Sequence, residues 1–208
     1  AKNKKGKAEK QLRIECGDQI ALTPPMGWNS WNCFAQEVSA DRVKRAANAM
    51  VNSGLINHGW TYINIDDFWE NHRDSKDQSL RGKFRDENGK IIPNSRFVDM
   101  KPLADYVHGL GLKIGLYSSP GPWTCGGCAG SYGYEKQDAE SYAQWGFDYL
   151  KYDWCDTENL NAIGAYTTMR DALFAAGRPI VFSLCEWGNN KPELWAKEVG
   201  HLWRTTGD

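Results

Sequence analysis

Across 208 residues there is almost no net charge, no long apolar run and no glycine-rich phosphate loop. Lys plus Arg number 25 against 26 Asp plus Glu, a formal charge of -1. That balance gives no electrostatic case for nucleic acid or an anionic membrane as partner. No apolar run approaches the roughly 20 residues of a membrane helix. No signal peptide is visible, although processing removes such segments. Six cysteines, at 16, 33, 125, 128, 155 and 185, are too sparse for a dense disulfide framework and fit one or two bridges in an exported protein. Cys125-Gly126-Gly127-Cys128 has thioredoxin-like spacing, but its glycines and the following Ala129-Gly130-Ser131 describe a loop, not the helix start that redox chemistry uses. A single Cys-x-x-Cys also lacks the second ligand pair of a zinc site.

What is present describes a folded chain. Hydrophobic residues make up 41% and charged residues 25%, enough for one domain with a sizeable core. Charge is uneven: Lys2, Lys4, Lys5, Lys7, Lys10 and Arg13 face only Glu9 in the first 13 residues. Residues 1–21 therefore read as a basic, solvated lead-in with a short strand near 12–14. Ten tryptophans are many for this length. Exposed indoles stack on the apolar faces of sugars, whereas any single Trp is more often core.

From Pro25 onward, strand-like runs alternate with helical patterns. The expected strands are 26–31, 62–68, 113–118, 148–153, 180–185 and 202–205, with helices at 40–53, 99–110, 135–145, 160–176 and 191–199. Ser39 suits an N-cap, and Gly54, Gly111, Gly146 and Gly177 follow four of the helices, where a left-handed cap is wanted. Such alternation implies parallel strands with right-handed crossovers. A doubly wound sheet should carry a glycine-rich loop after its first strand, and none is there. A (β/α)8 TIM barrel should gather polar residues at C-terminal strand ends, and Trp31, Asp66, Asp67, Tyr117, Asp153, Glu186 and Asp208 stand at such places. The expectation is thus an α/β barrel of which about six βα units occupy 22–208, with strands seven and eight beyond the chain. The polar stretch 69–99 would rim its open end.

The run Tyr149-Leu150-Lys151-Tyr152-Asp153 reads as a buried strand that puts Lys151 and Asp153 on one face. An ammonium beside a carboxylate lowers the acid's pKa and keeps it ionised, as a carboxylate nucleophile requires. A structural ion pair explains the same residues. Asp66-Asp67 can hold a divalent cation, yet no third and fourth oxygen ligands accompany them; they equally suit the vicinal hydroxyls of a sugar. Asp153 and Asp208 on opposite sides of one site are the minimum apparatus of a retaining glycosidase.

Six motifs strengthen that reading: Met26-Gly27-Trp28-Asn29-Ser30-Trp31, Ile65-Asp66-Asp67, Gly130-Ser131-Tyr132-Gly133-Tyr134, Tyr149-Leu150-Lys151-Tyr152-Asp153, Cys185-Glu186-Trp187-Gly188 and Trp203-Arg204-Thr205-Thr206-Gly207-Asp208. In order and spacing they resemble the melibiase-type α-galactosidases of glycoside hydrolase family twenty-seven. The resemblance implies an exo-acting, retaining enzyme for α-galactosides that needs no metal or cofactor. It matches Asp153 to the nucleophile and Asp208 to the acid/base. Asp66 and Asp67 match the acids that hold galactose O4 and O6, Lys151 the contact near O3 and O4, and Trp31 the wall beneath the apolar face. Tyr117 would sit beside the nucleophile, with Glu186 and Arg204 near O2. Relatives that accept N-acetylgalactosamine carry small residues where Glu186 stands, so Glu186 favours galactose; Asp66, rather than Glu, favours a C6 hydroxymethyl over a β-L-arabinopyranoside. Cys125 and Cys155 match a pair bridged in many members, whereas Cys33 and Cys128 are additions and Phe68 replaces a bonded Cys of some relatives. An exported, periplasmic or lumenal setting is expected. The contrasting expectation is an inactive sugar-binding barrel fragment, because six strands leave two sheet edges bare.

Overall fold

Why the sheet must curl is visible in one contact. Lys151 on the fourth strand reaches Asp66, just past the second, at 2.8 Å, although a third strand lies between them and flat neighbours are spaced ~4.8 Å apart. The computed structural model describes residues 2–3, 6–7 and 20–207. The strand expected near 12–14, Cys16 and Asp208 lie outside the described residues. Lys2–Asn3 and Gly6–Lys7 form a small antiparallel pair. The main sheet comprises β1 (Met26–Asn29), β2 (Trp60–Asn64), β3 (Lys113–Ser118), β4 (Tyr149–Asp153), β5 (Val181–Cys185) and β6 (Leu202–Trp203). Its strands lie in chain order and every neighbouring pair is parallel. These are six successive strands of a (β/α)8 barrel.

Four helices cover the outside: α1 (Ala40–Asn52), α2 (Met100–Gly109), α3 (Glu135–Trp145) and α4 (Ala162–Ala175). Ser39 caps α1 by accepting from the Arg42 amide at 3.4 Å, and Val43, Ala47 and Met50 form its buried stripe. Asp99 and Asn161 cap α2 and α4 in the same way. The α3 helix has no side-chain cap, but Glu135 and Asp138 lie in its first turn, where the helix dipole favours acids. It stops at Gly146, whose φ of 87° is the left-handed conformation that glycine adopts without strain. The strands divide the core by alternation. Leu150 and Tyr152 join Ile114, Leu116, Phe182 and Leu184 beneath the helices, while Tyr149 packs inward with Tyr62 and Val181. Beyond Tyr149 on this inward face come Lys151 and Asp153.

The lower end of β4 is fixed by Asp148, which accepts from the Ile114 amide at 3.0 Å and from Arg178 at 2.7 Å and contacts His108 at 2.8 Å. Expected elements differ from the observed ones mainly at their ends. The first strand stops at Asn29, because Ser30 opens the helical turn Trp31–Phe34. The second begins at Trp60 and ends at Asn64, leaving Asp66 and Asp67 on the loop. The helix expected over 191–199 is instead two 3-10 turns, Pro192–Leu194 and Ala196–Glu198. Lys191 takes a left-handed φ of 54° before Pro192, and Trp195 departs from helical geometry between the turns.

Candidate active site

Two acids follow β2 directly, and their environments differ. Asp66 Oδ2 accepts from Lys151 Nζ and from Asn29 Nδ2, each at 2.8 Å, while its own amide donates to Ser30 Oγ at 2.9 Å. Asp67 is tied by three donors: the Phe68 amide and Thr124 Oγ1, both at 2.8 Å, and the Gly126 amide at 2.7 Å. Burial nevertheless pushes the Asp67 carboxyl up to about 6, with those hydrogen bonds opposing the shift and Asp66 adding to it. Both acids are buried.

Asp153 ends β4 and pairs in register with Cys185 at the end of β5. One carboxylate oxygen accepts from the Trp154 amide at 2.9 Å, and Lys151 Nζ is 3.9 Å from the other. The expected Lys151–Asp153 pair is therefore a bridge, with Asp66 as the closer partner of the ammonium. Its electrostatic outcome also differs. Burial raises the Asp153 pKa, and Lys151, the Trp154 amide, Cys185 and Tyr117 only partly oppose it. Burial pulls Lys151 down, but Asp66 and Asp153 outweigh it and hold the ammonium above its ordinary pKa. Desolvation of the carboxylate, which a sequence does not display, decides the direction.

Around this cluster the remaining candidates fall into place unevenly. Trp31 sits on the turn after β1, 43% exposed, with its ring stacked on Phe68 at 6.2 Å. Tyr117 is buried on β3 with Lys151 Nζ 5.0 Å from its ring centre and its hydroxyl 3.8 Å from Cys155 Sγ. Cys155 is bonded to Cys125, so a disulfide forms the wall beside Asp153, and Cys125 does not pair with Cys128. Glu186 is fully buried, and its oxygens are taken by the Gly188 amide, the Asn190 amide and the Asn190 side chain at 2.7–2.9 Å. It shapes its own loop. Arg204 follows β6 and donates to the Gly207 carbonyl at 2.8 Å. Asp208 lies outside the described residues, so its distance to Asp153 carries no argument.

Several site residues escaped the sequence reading as individuals. Asn29 and Ser30 stood inside a quoted motif, and Thr124 stood beside Cys125. Glu70 gave no signal at all. It is fully buried, neither carboxyl oxygen has a partner, and burial and Asp67 push its pKa well above the ordinary range. With Asp67 and Cys128 it places three ligand-type atoms within 4.8 Å of one another. Asp67 already spends both oxygens on protein donors, and burial also raises Cys128.

Known proteins resemble this arrangement over nearly its whole extent. The profile of the family described as "Alpha galactosidase A" matches residues 23–205. Alpha-galactosidase A of Cellvibrio japonicus is 53% identical over 191 residues, 92% of this chain and 45% of that one. Alpha-galactosidase 3 of Arabidopsis thaliana is 46% identical over 94% of this chain and 43% of its own length. Among solved structures, alpha-galactosidase I from Mortierella vinacea superposes with a TM-score of 0.84 at 38% identity, covering 93% of this chain and 48% of that one. The chain thus spans about half the length of the curated relatives it matches. At such identity, over this much of the sequence and with the same barrel strands, the chain belongs to the alpha galactosidase A, or melibiase, family of glycoside hydrolases.

Proposed function

We propose that residues 22–208 are six βα units of the catalytic barrel of a retaining exo-α-galactosidase, preceded by a basic lead-in at 1–21. The observation that carries the reading is the bridge of Lys151 between Asp66 and Asp153. In this reading it ties a hydroxyl-binding acid and an attacking acid to one cation on the inward face. In this reading the sugar lays its apolar face on Trp31 and gives its O4 and O6 hydroxyls to Asp66 and Asp67. Asp153 attacks the anomeric carbon as Asp208 protonates the departing oxygen. A β-galactosyl ester on Asp153 results. Asp208, now a carboxylate, takes a proton from water as that water attacks, and the product keeps the α configuration.

Galactose is favoured over N-acetylgalactosamine because Glu186 fills the β5 end, where an acetamide needs room. The Cys125–Cys155 disulfide supports an oxidising compartment, hence export. Expressed within its full-length chain, Asp153→Asn should lose aryl α-galactoside turnover by at least on the order of a thousandfold. Near-wild-type turnover by that variant would contradict the assignment.

A further inference from the structure

Phe68 directly follows the acid pair Asp66-Asp67 and takes a left-handed φ of 77°. That conformation is strained for a bulky side chain and easy for glycine, so a turn alone does not call for phenylalanine here. Its backbone is held on both sides. The Phe68 amide donates to Asp67 Oδ1 at 2.8 Å, and its carbonyl accepts from Asn94 Nδ2 at 2.7 Å. The residue is buried, and its ring lies nearly parallel to two others. Trp31 stacks on it at 6.2 Å with 16° between the planes, and His72 at 5.9 Å with 18°. The ring edge also fills the space over Gly126, where an added Cβ would lie 2.5 Å from Cε2. His72 is the fixed end of this column. Its amide donates to the Leu80 carbonyl at 2.7 Å, and its Nδ1 accepts from the Asp74 amide at 3.0 Å. Trp31 is the open end. It begins a four-residue turn in which no residue is buried, and its amide donates to Asn29 Oδ1 at 2.9 Å. Among the described residues, Phe68 is the one ring stacked on the Trp31 indole.

We propose that Phe68 is a positioning residue for the galactose site: its ring backs the Trp31 indole and fixes the plane on which the sugar's apolar face rests. The inference rests on the galactosidase reading above. A partly exposed indole on a turn without buried residues keeps two free side-chain torsions. Holding them before the sugar arrives lowers the ordering cost of binding. A flat, buried ring does this from one side and leaves the rest of the indole open. The Phe68 amide meanwhile orients Asp67, so one strained position aligns an apolar and a polar contact to the same sugar. That amide is present whatever the side chain, which allows the ring to be tested alone.

In the full-length protein, Phe68→Gly removes the ring, keeps the amide and relieves the left-handed strain. Galactose, used as a competitive inhibitor of aryl α-galactoside turnover, should bind this variant roughly two- to tenfold more weakly, the scale of one lost ring contact. A double-mutant cycle with Trp31→Ala separates positioning from packing. In the Trp31→Ala background, Phe68→Gly should change the galactose inhibition constant by less than about twofold, because the ring then has no indole to hold. Phe68→Leu keeps most of the volume without the flat face. It should lose galactose affinity in the same way, and it replaces the glycine variant in the cycle if that variant does not fold. Wild-type galactose affinity in Phe68→Leu overturns the proposal and leaves Phe68 as core packing. A loss of equal size with and without Trp31 does the same, as does a loss confined to kcat at unchanged galactose affinity. Wild-type protein that neither cleaves the aryl galactoside nor binds galactose refutes the galactosidase reading, and the proposal falls with it.

Discussion

Lys151 is shared unequally, 2.8 Å from Asp66 and 3.9 Å from Asp153, and that inequality sets what each acid can do. The ammonium serves chiefly to keep the Asp66 carboxylate in place, and its longer-range field restrains an Asp153 carboxyl whose pKa burial has already raised. Removing the cation takes away an opposing influence, so Lys151→Met should move the acid limb of kcat/KM to higher pH. A limb that stays put would show that Asp153 is not the group titrating there. Glu70 offers a test of the buried cluster through stability. Its folded pKa is raised above the ordinary 4.5, so the folded state holds a proton that the unfolded chain releases. Stability is then lost as pH rises from 4.5 toward the folded value. Glu70→Gln should flatten that slope and unfold at higher denaturant than wild type at neutral pH. A lower midpoint would mean that the Glu70 carboxylate is ionised and paired. The sequence displayed Asp66, Asp67, Lys151 and Asp153 as residues, because short motifs carry them. It did not display their pairing, which joins positions 85 apart, nor the burial that raises Asp67, Glu70 and Asp153.

At the scale of elements, the long connection between β2 and α2 is a built structure and not a loose rim. Trp69 is fully buried, donates to the Tyr117 carbonyl at 2.9 Å and meets Tyr142 and Trp145 edge-on. Asn94 donates to the carbonyls of Phe68 and Glu70, closing the segment on itself. Arg85 then clamps it to α3 by two bonds to the fully buried Asp138, at 2.6 and 2.9 Å. Replacing the buried pair as a whole need not be costly, but removing one partner strands a charge. Arg85→Met should therefore destabilise the fold by about 3–5 kcal/mol, measured by denaturant unfolding; a loss under about 1 kcal/mol would place the pair with exposed ones. The strand 113–118 and the helix 135–145 were legible to the residue, since apolar spacing and Gly146 mark them. The segment 191–199 was not, because a helical pattern there is overridden by the left-handed Lys191 and Pro192. The Cys125–Cys155 bond followed from family resemblance.

For the whole molecule, the barrel reading came from what strand ends carry and from the lack of a phosphate loop, and six parallel strands in chain order agree with it. Within the described residues β1 and β6 each pair on one side only, and relatives in the family are about twice as long. In the proposed reading, activity belongs to the full-length protein and this region supplies the nucleophile. The central claim is the covalent step at Asp153. The full-length enzyme should be incubated with a 2,2-difluoro α-galactoside bearing a good leaving group, which forms the ester fast and hydrolyses it slowly. Peptide mass spectrometry should then find one difluorogalactosyl group on the segment Tyr149–Asp153, at Asp153 itself. A label on another carboxylate, or rapid turnover with inverted product and no label, would contradict the account.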